Sequence, residues 1–396
     1  MRYPPEWYQL HDSIEELFPH LRPAQQRGLS WWVMGTVLAR SACESAVLAA
    51  LVSYGAYHGV RQYLREWLRD GSQRAAPCKT TLEVAPCFAP LLGWVLRWWR
   101  GDSLPLAIDA TAHGDRLVAL VVSVLYRGSA IPVAWAILPA NQPGSWMEPL
   151  LELLEQLAPV VPAPLTVLVL TDRGLWSQRL WDGIRTLGWH PLMRIQERCT
   201  FQPAGGRRVP VRTLVPGAGQ AWVGEGVAFA TATRRRAGTL VVYWEEGQAQ
   251  PWVLLTDLAP EWVGPAWYGL RSWIELGFRA LKGVGWQWEH TRRSDPAKVA
   301  RHWLVLAVAT LWVLAYGTRV EDAEWLDVAP SRLRTAPSLI GRQLRPRRQI
   351  SVFRRGLHWL ASAIARGKLW RCLWLVPDPF PSPPPSLTIT YHAITT

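Results

Sequence analysis

Residues 268–282 read Tyr-Gly-Leu-Arg-Ser-Trp-Ile-Glu-Leu-Gly-Phe-Arg-Ala-Leu-Lys, and no other stretch of this sequence says more about the fold. On an α-helix the four spaced polar side chains of this stretch would fall within about 60° of one another, on a stripe roughly 20 Å long. They are Tyr268, Arg271, Glu275 and Lys282. The spacing predicts a helix with one polar functional face. The alternative is an exposed amphipathic helix with an Arg271–Glu275 ion pair.

Composition indicates a folded protein with a polyanionic partner. Hydrophobic residues make up 49% of the 396 residues and charged residues 18%, which fits a globular chain of two or three compact units. The net charge of +13 predicts binding to nucleic acid or to an anionic membrane surface. The alternative explanation of this arginine-rich, lysine-poor balance is a GC-rich genome.

The cysteines and the apolar segments predict a cytoplasmic protein. Five cysteines without a Cys-x-x-Cys pair argue against a zinc ribbon and against a disulfide framework. The first residues lack the charged-then-apolar pattern of a signal peptide. The apolar segment 303–317 is short for a membrane span and is typical of a buried core helix. We therefore expect no membrane partner.

The order of periodic segments predicts an α/β protein flanked by helices. Residues 1–100 have mostly helical spacing, with helices expected at 27–51, 60–70 and 91–100 and a loop at 71–86. Apolar, β-branched runs predict strands at 105–112, 116–126, 130–139, 165–170 and 190–196. Helices are expected between the later strands, at 146–157 and 177–187. Residues 101–198, completed by 259–320, thus predict a mixed sheet with helices on its faces.

Three further regions differ in composition from this α/β pattern. Residues 199–258 contain short strand-like runs and Gly-rich turns, which predict a β-rich insertion. Residues 321–376 form a basic C-terminal region, in which 331–376 hold eleven arginines and lysines and no acidic residue. This pattern favours a helical segment for phosphate contact, with a solvated basic face as the alternative. The Pro-rich tail, 377–396, is expected to be extended or disordered.

If Glu275 is catalytic, the sheet should supply two more carboxylates. Asp109 lies within the first predicted strand, and Asp172 directly follows the apolar run 165–170. The carboxyl end of a strand is the usual ligand edge of an open α/β sheet. Asp172 could instead cap the helix at 177–187 or belong to a turn. Four other aspartates remain fallback candidates at less favourable positions: Asp102, Asp115, Asp182 and Asp257.

Three converging carboxylates would repel one another unless cations separate them. Oxygen ligands favour Mg²⁺ or Mn²⁺ over zinc, and the sequence offers no competing His/Cys cluster. Two such ions about 4 Å apart could activate water or a 3′-hydroxyl for attack on a phosphodiester. The expected cofactor is therefore Mg²⁺ or Mn²⁺, two ions per active site.

The spacing Tyr-(2)-Arg-(3)-Glu-(6)-Lys in residues 268–282 resembles the signature of bacterial cut-and-paste DDE transposases of the insertion-sequence-four family. With Asp109 and Asp172, Glu275 resembles the DDE triad of the RNase H-like (retroviral-integrase-like) fold. There the first aspartate is on the first strand, the second follows the fourth strand, and the glutamate is on a later helix. The resemblance covers about residues 104–318. It implies an RNase H-like catalytic core with a β-rich insertion. Outside it, periodicity and composition predict a helical N-terminal region, which we expect to be a DNA-binding domain, and the basic C-terminal region.

The resemblance also implies roles for individual residues. Asp109, Asp172 and Glu275 would be the catalytic metal ligands, and Tyr268, Arg271 and Lys282 would bind DNA phosphates beside the scissile bond. Trp252 resembles a tryptophan of related transposases that stacks on a flipped base, although a Trp that begins an apolar strand is commonly a core residue. Arginines of the insertion are further candidates for phosphate contact, with surface solubility as the alternative: Arg207, Arg208, Arg234, Arg235 and Arg236.

The leading hypothesis is a transposase that binds terminal inverted repeats of double-stranded DNA, cleaves the ends and transfers them to target DNA. By resemblance it would pass through hairpin ends and act as a homodimer that pairs two ends. An RNase H-like resolvase without strand transfer is the alternative enzyme. An inactive, domesticated DNA-binding relative is the non-enzymatic alternative, which the presence of all three carboxylates disfavours.

Overall fold

The computed structural model describes residues 4–54, 57–71, 81–140, 146–337 and 348–392. Five strands form the half of its sheet that bears the candidate aspartates. They are β1 (Ser103–His113), β2 (Leu117–Tyr126), β3 (Ser129–Pro139), β4 (Thr166–Thr171) and β5 (His190–Arg194). Their order is β3-β2-β1-β4-β5, with β1, β4 and β5 parallel and β2 antiparallel to both neighbours. Order and direction are consistent with the predicted RNase H-like fold, and the five predicted strands are confirmed.

The β-rich residues that follow continue the same sheet. Their strands are β6 (Thr200–Pro203), β7 (Val209–Pro210), β8 (Gln220–Ala228), β9 (Arg236–Trp244) and β10 (Trp252–Thr256). β10 pairs antiparallel with β5, so the sheet runs without interruption from one group of strands into the other. A last strand, β11 (Thr388–His392), pairs parallel with β8. Sheet continuity through β5 and β10 was not evident in the sequence, because strand pairing is not encoded in local periodicity.

Helices precede the sheet, as predicted for residues 1–100. They are α1 (Pro5–Leu17), α2 (Pro23–Ala39), α3 (Glu44–Leu51), α4 (Tyr57–Leu68) and α5 (Phe88–Trp98). The prediction of one helix over 27–51 is wrong, because Arg40 adopts a left-handed conformation (φ 50°) that ends α2. Most of the loop predicted at 71–86 lies outside the described residues, at 72–80.

Four more helices complete the part of the molecule that holds the site: α6 (Met147–Leu157), α7 (Gln178–Thr186), α8 (Ser272–Arg279) and α9 (Pro296–Trp325). α6, α8 and α9 all pack on β3. Among the described helices α9 is long and apolar enough to span a membrane, but its most apolar window is entirely buried within the protein. Residues 303–317 are therefore the core helix that the sequence predicted.

Residues 268–282 do not form the single α-helix that the sequence predicts. A 3₁₀ segment, Pro265–Arg271, leads into α8, and a π turn, Ala280–Val284, follows it. The carbonyl of Ala280 accepts hydrogen bonds from the amides of both Gly285 and Trp286. A Cβ on Gly285 would lie 2.6 Å from that carbonyl oxygen, so the glycine permits the wide turn. The four polar residues of the stretch thus occupy three kinds of helical segment.

The C-terminal region is tied to the rest of the fold by a buried ionic network. α10 (Val352–Ala365) packs on α9, while residues 338–347 of the basic region lie outside the described residues. Arg127, in the β2–β3 turn, is fully buried and pairs with Glu321 at 2.9 Å and Asp322 at 3.0 Å. Arg348 pairs with Glu321 at 2.7 Å and with Asp378 of the tail at 2.7 Å. The tail is therefore held by ion pairs and by β11, rather than disordered, up to His392.

Candidate active site

Asp109 and Asp172 lie side by side at the centre of the sheet. β1 and β4 run parallel, and their pairing places Ile108 opposite Thr171. Asp109 is the next residue in β1, and Asp172 is the first residue after β4. Since parallel strands in register advance together, both aspartates reach the same level at the carboxyl end of β4. The predicted positions of both residues relative to the strands are confirmed.

The two aspartates differ in environment. The Asp109 side chain is 16% exposed, and its Oδ1 accepts a hydrogen bond of 2.9 Å from the Ala110 amide. Burial raises the pKa of the Asp109 carboxyl, against the lowering effect of nearby Arg271. The Asp172 side chain is 43% exposed, and its Oδ1 accepts from the amide of Arg173. Asp109 is thus the more confined of the two ligand candidates.

Asp172 also has the capping role that the sequence left open, but for a different segment. It caps the 3₁₀ turn Arg173–Leu175, while Ser177 caps α7 by accepting from the Leu180 amide. The cap uses Oδ1, and Oδ2 of the same carboxylate faces Arg271 at 3.7 Å. Asp172 can therefore cap the turn through Oδ1 while Oδ2 faces the other candidate site residues.

Glu275 approaches the aspartates from α8, which packs against the sheet. Ile274, Gly277 and Phe278 are the buried residues of this helix. A Cβ on Gly277 would lie 2.8 Å from that of Ala130 in β3, so the helix comes close to the strand. Glu275 lies on the open side of the helix and is 62% exposed.

Arg271 lies among the three carboxylates and contacts all of them. Its Nη2 donates to Asp109 Oδ2 at 2.9 Å and lies 3.7 Å from Asp172 Oδ2, while its Nη1 donates to Glu275 Oε1 at 2.7 Å. The arginine side chain is only 14% exposed. The neighbouring carboxylates raise the pKa of its guanidinium, against the effect of burial. The predicted Arg271–Glu275 ion pair is present, but it belongs to this four-residue cluster and not to a freely exposed helix face.

Tyr268 and Lys282 flank the cluster, and both bind backbone carbonyls. The buried Tyr268 hydroxyl donates to the Thr171 carbonyl at 3.1 Å, directly before Asp172. Burial raises the pKa of this phenol. The Lys282 ammonium donates to the Ala112 carbonyl of β1 at 2.6 Å. The two residues therefore reach the same two strands that carry the aspartates, despite the break in the helix.

Glu289 is a neighbour of the site that sequence reasoning missed. Its Oε1 lies 3.4 Å from the Lys282 ammonium, and it belongs to a 3₁₀ turn, Trp288–Thr291. Only the turn of the chain after the π segment brings it back to Lys282. No spacing rule on a continuous helix would have identified it.

Trp252 lies in the wall behind Tyr268. Its ring centroid is 5.3 Å from that of Tyr268 in an edge-on contact, and 5.3 Å from that of Tyr243. The side chain is partly buried at the start of β10. The structure thus places Trp252 next to the site, in contact with core aromatic residues.

The fallback aspartates and several arginines of the β-rich region lie in other interactions. Asp182 pairs with Arg236 at 2.6 Å, and Asp257 pairs with Arg185 at 3.2 Å. Asp102 accepts from the Ser103 hydroxyl, and Asp115 lies in the exposed β1–β2 turn. Arg208 donates to the Phe229 carbonyl at 2.8 Å. Arg207, Arg234 and Arg235 are exposed or partly exposed.

The ligand atoms at the cluster fit a hard divalent cation. All three side chains offer carboxylate oxygens, which Mg²⁺ and Mn²⁺ prefer. They gather around one positive group, the Arg271 guanidinium, so the fold already places three anions at a cationic centre. Within the described ranges no group of three His, Cys, Asp or Glu side chains is preassembled as a metal site. A cation would therefore have to replace the guanidinium.

Comparison with known proteins gives one match that bears on this site. Residues 137–312 match the family model of the transposase DDE domain. The matched region contains Asp172 and Glu275, and it begins after Asp109. A search of curated proteins found no match. The family match supports a relationship of this region with the DDE transposases.

Proposed function

We propose that the protein is a cut-and-paste DNA transposase whose catalytic residues are Asp109, Asp172 and Glu275. The observation that carries the proposal is the convergence of these carboxylates on one cationic centre, Arg271. The match of residues 137–312 to a transposase DDE domain supports the same class of reaction. In this proposal the enzyme belongs to the insertion-sequence-four family, binds terminal inverted repeats, forms hairpin ends and acts as a homodimer in the cytoplasm.

Asp109, Asp172 and Glu275 would hold Mg²⁺ or Mn²⁺. Bound there, two such ions would supply an activated water or 3′-hydroxyl and would stabilise the leaving oxygen. Asp109, held by β1 and by the Ala110 amide, provides the rigid side of the site. Glu275 is exposed on α8 and can adjust to the DNA and the cation.

Tyr268, Arg271 and Lys282 would bind the phosphates beside the scissile bond. In the structure each of these donors is bound to an acceptor of the protein itself. DNA binding would therefore exchange protein acceptors for phosphate oxygens, which accept charge-assisted hydrogen bonds from Arg and Lys. Trp252 would stack on a flipped base only after a local rearrangement, since its ring now contacts Tyr243 and Tyr268.

The test is a cleavage and strand-transfer assay on a plasmid that carries the gene with its flanking genomic DNA. We expect Mg²⁺-dependent cleavage at the ends of the element, hairpin ends on denaturing gels, and joining to a second plasmid. Each of Asp109→Asn, Asp172→Asn and Glu275→Gln should abolish all three products. Asp182→Asn is the matched control, because this aspartate is exposed and pairs with Arg236 outside the site.

Other outcomes would redirect or reject the proposal. Cleavage of branched DNA without preference for the element ends would identify a resolvase. Specific binding of the ends without any cleavage in Mg²⁺ or Mn²⁺ would identify an inactive relative. Full activity of any one of the three carboxylate variants would remove that residue from the catalytic set.

A further inference from the structure

A groove of about 520 Å³ lies beside α8, one helical turn beyond Glu275. The end of α2, α8 and the first turns of α10 line it, so the N-terminal, core and C-terminal parts of the chain meet there. Its positively charged or titratable lining residues are Arg40, Arg279, Arg354 and His358. No aspartate or glutamate is among the described residues that line it. The charged side chains described at the groove are therefore all positive.

The arginines of the groove differ from the arginines that hold the fold together. Arg355, next to Arg354 in the sequence, pairs with Glu324, and Arg348 pairs with Glu321 and Asp378. Within the described ranges no ion pair forms at the three groove arginines, and all three are exposed: Arg40, Arg279 and Arg354. Their guanidinium donors remain available to an external anion.

The positions of these side chains form a track that starts at the active site. Arg279 follows Glu275 by four residues on α8, so both side chains lie on one face of the helix, about 5–6 Å apart at Cβ. Arg354 and His358 have the same spacing on α10. A strand that passes Glu275 would meet Arg279 next and then the residues of α10 and Arg40.

We propose that this groove binds the phosphate backbone of the double-stranded DNA that leads away from the scissile bond. The inference rests on the proposed function, because it takes Glu275 as the place where the DNA is cut. Three observations favour DNA over a protein partner. No described lining residue carries a carboxylate, the three groove arginines form no ion pair within the described ranges, and the net charge of the chain is +13. The exposed apolar side chains in the groove would contact deoxyribose; they are Leu276, Val284 and Ile350.

The test compares two triple variants of equal net charge. One changes the groove, with Arg40→Gln, Arg279→Gln and Arg354→Gln. The other changes exposed arginines outside the groove and outside the helical N-terminal and basic C-terminal regions, with Arg179→Gln, Arg185→Gln and Arg212→Gln. Fluorescence anisotropy measures binding to a duplex of the element end over a salt series. Each phosphate contact contributes about 0.9 to the slope of log K against log salt, so the groove variant should lose about 2–3 in slope and about tenfold or more in affinity.

Binding is measured with Asp172→Asn in both triple variants and in the parent, so that cleavage does not affect the readout. Equal losses in the two triple variants would overturn the groove proposal. The proposal would also be overturned if the groove variant kept its DNA affinity but lost self-association in sedimentation. That result would assign the groove to a second copy of the chain. Thermal unfolding of each variant checks that the fold is intact. In hydroxyl-radical footprinting, the duplex next to the cleavage site should lose protection with the groove variant alone.

The two proposals can fail separately. If the wild-type protein cleaves the element ends but both triple variants bind alike, only the groove proposal fails. If no cleavage occurs and the groove variant still loses affinity selectively, only the proposed function fails.

Discussion

Arg271 Nη2 donates a hydrogen bond of 2.9 Å to Oδ2 of Asp109, a residue 162 positions earlier in the chain. The contact joins the end of the 3₁₀ segment to the middle of β1. The guanidinium thereby occupies Oδ2 of Asp109, an oxygen that would also be a ligand of a metal ion. In the DNA-free protein, Arg271 and a divalent cation therefore compete for the same carboxylates.

Removal of this competitor should strengthen metal binding. We expect Arg271→Ala to raise the Mn²⁺ affinity of the DNA-free protein about tenfold, since a hydrogen bond to a charged group contributes about 1.5–3 kcal/mol. Titration followed by the EPR signal of free Mn²⁺ measures the change. Arg236→Ala, which breaks the pair with Asp182 outside the site, is the control and should leave Mn²⁺ affinity unchanged. Unchanged or weaker Mn²⁺ binding by Arg271→Ala would rule out the competition.

The buried network at Arg127 should dominate the stability of the C-terminal attachment. We expect Arg127→Met to lower the free energy of unfolding by about 3–5 kcal/mol, because Glu321 and Asp322 would remain buried without this partner. Urea unfolding measures the loss. The matched surface variant, Arg179→Met, breaks an exposed pair with Glu148 and should cost about 0–1 kcal/mol. Similar costs for the two variants would contradict the role of the network.

His302 should make the protein less stable in acid. Its side chain is fully buried in α9 without a hydrogen-bond partner at either ring nitrogen, and burial holds its pKa well below 6.5. The unfolded chain therefore takes up a proton that the folded chain does not, and stability is lost as pH falls through the unfolded value near 6.5. We expect wild type to lose up to about 1.4 kcal/mol per pH unit below this value relative to His302→Phe. Parallel urea titrations over the acid range would refute this if the two proteins lost stability together.

The crossing of α9 and α10 should tolerate no side chain at Gly356. A Cβ there would lie 1.7 Å from the Val313 carbonyl oxygen, a backbone atom that cannot turn away. We expect Gly356→Ala to destabilise the protein by about 3 kcal/mol or more, as measured by thermal unfolding. Gly93→Ala, inside α5 with open space around the added methyl, should instead stabilise it by about 0.5–1 kcal/mol. Equal effects of both changes would mean that the close approach is not rigid.

The strands and the two aspartates could be predicted because their signals are local. The run before Asp172 is apolar at nearly every position, as in a parallel strand buried on both faces, and it ends at a polar residue. The break at Arg40 and the π turn before Gly285 could not be predicted. Each lies against distant residues: the Ala42 amide, two residues after Arg40, donates to the Trp286 carbonyl at 2.6 Å, and the Phe353 ring lies beside Gly285.

The sequence by itself determined which side chains could meet: carboxylates on two strands, and a tyrosine, arginine, glutamate and lysine at fixed spacing. Only the tertiary structure decided what they contact. Parallel pairing of β1 with β4 put Asp109 beside Asp172, and the approach of α8 brought Arg271 into their centre. The physical reason is range: periodicity fixes the face of an element within a few residues, whereas pairing and desolvation depend on the whole chain.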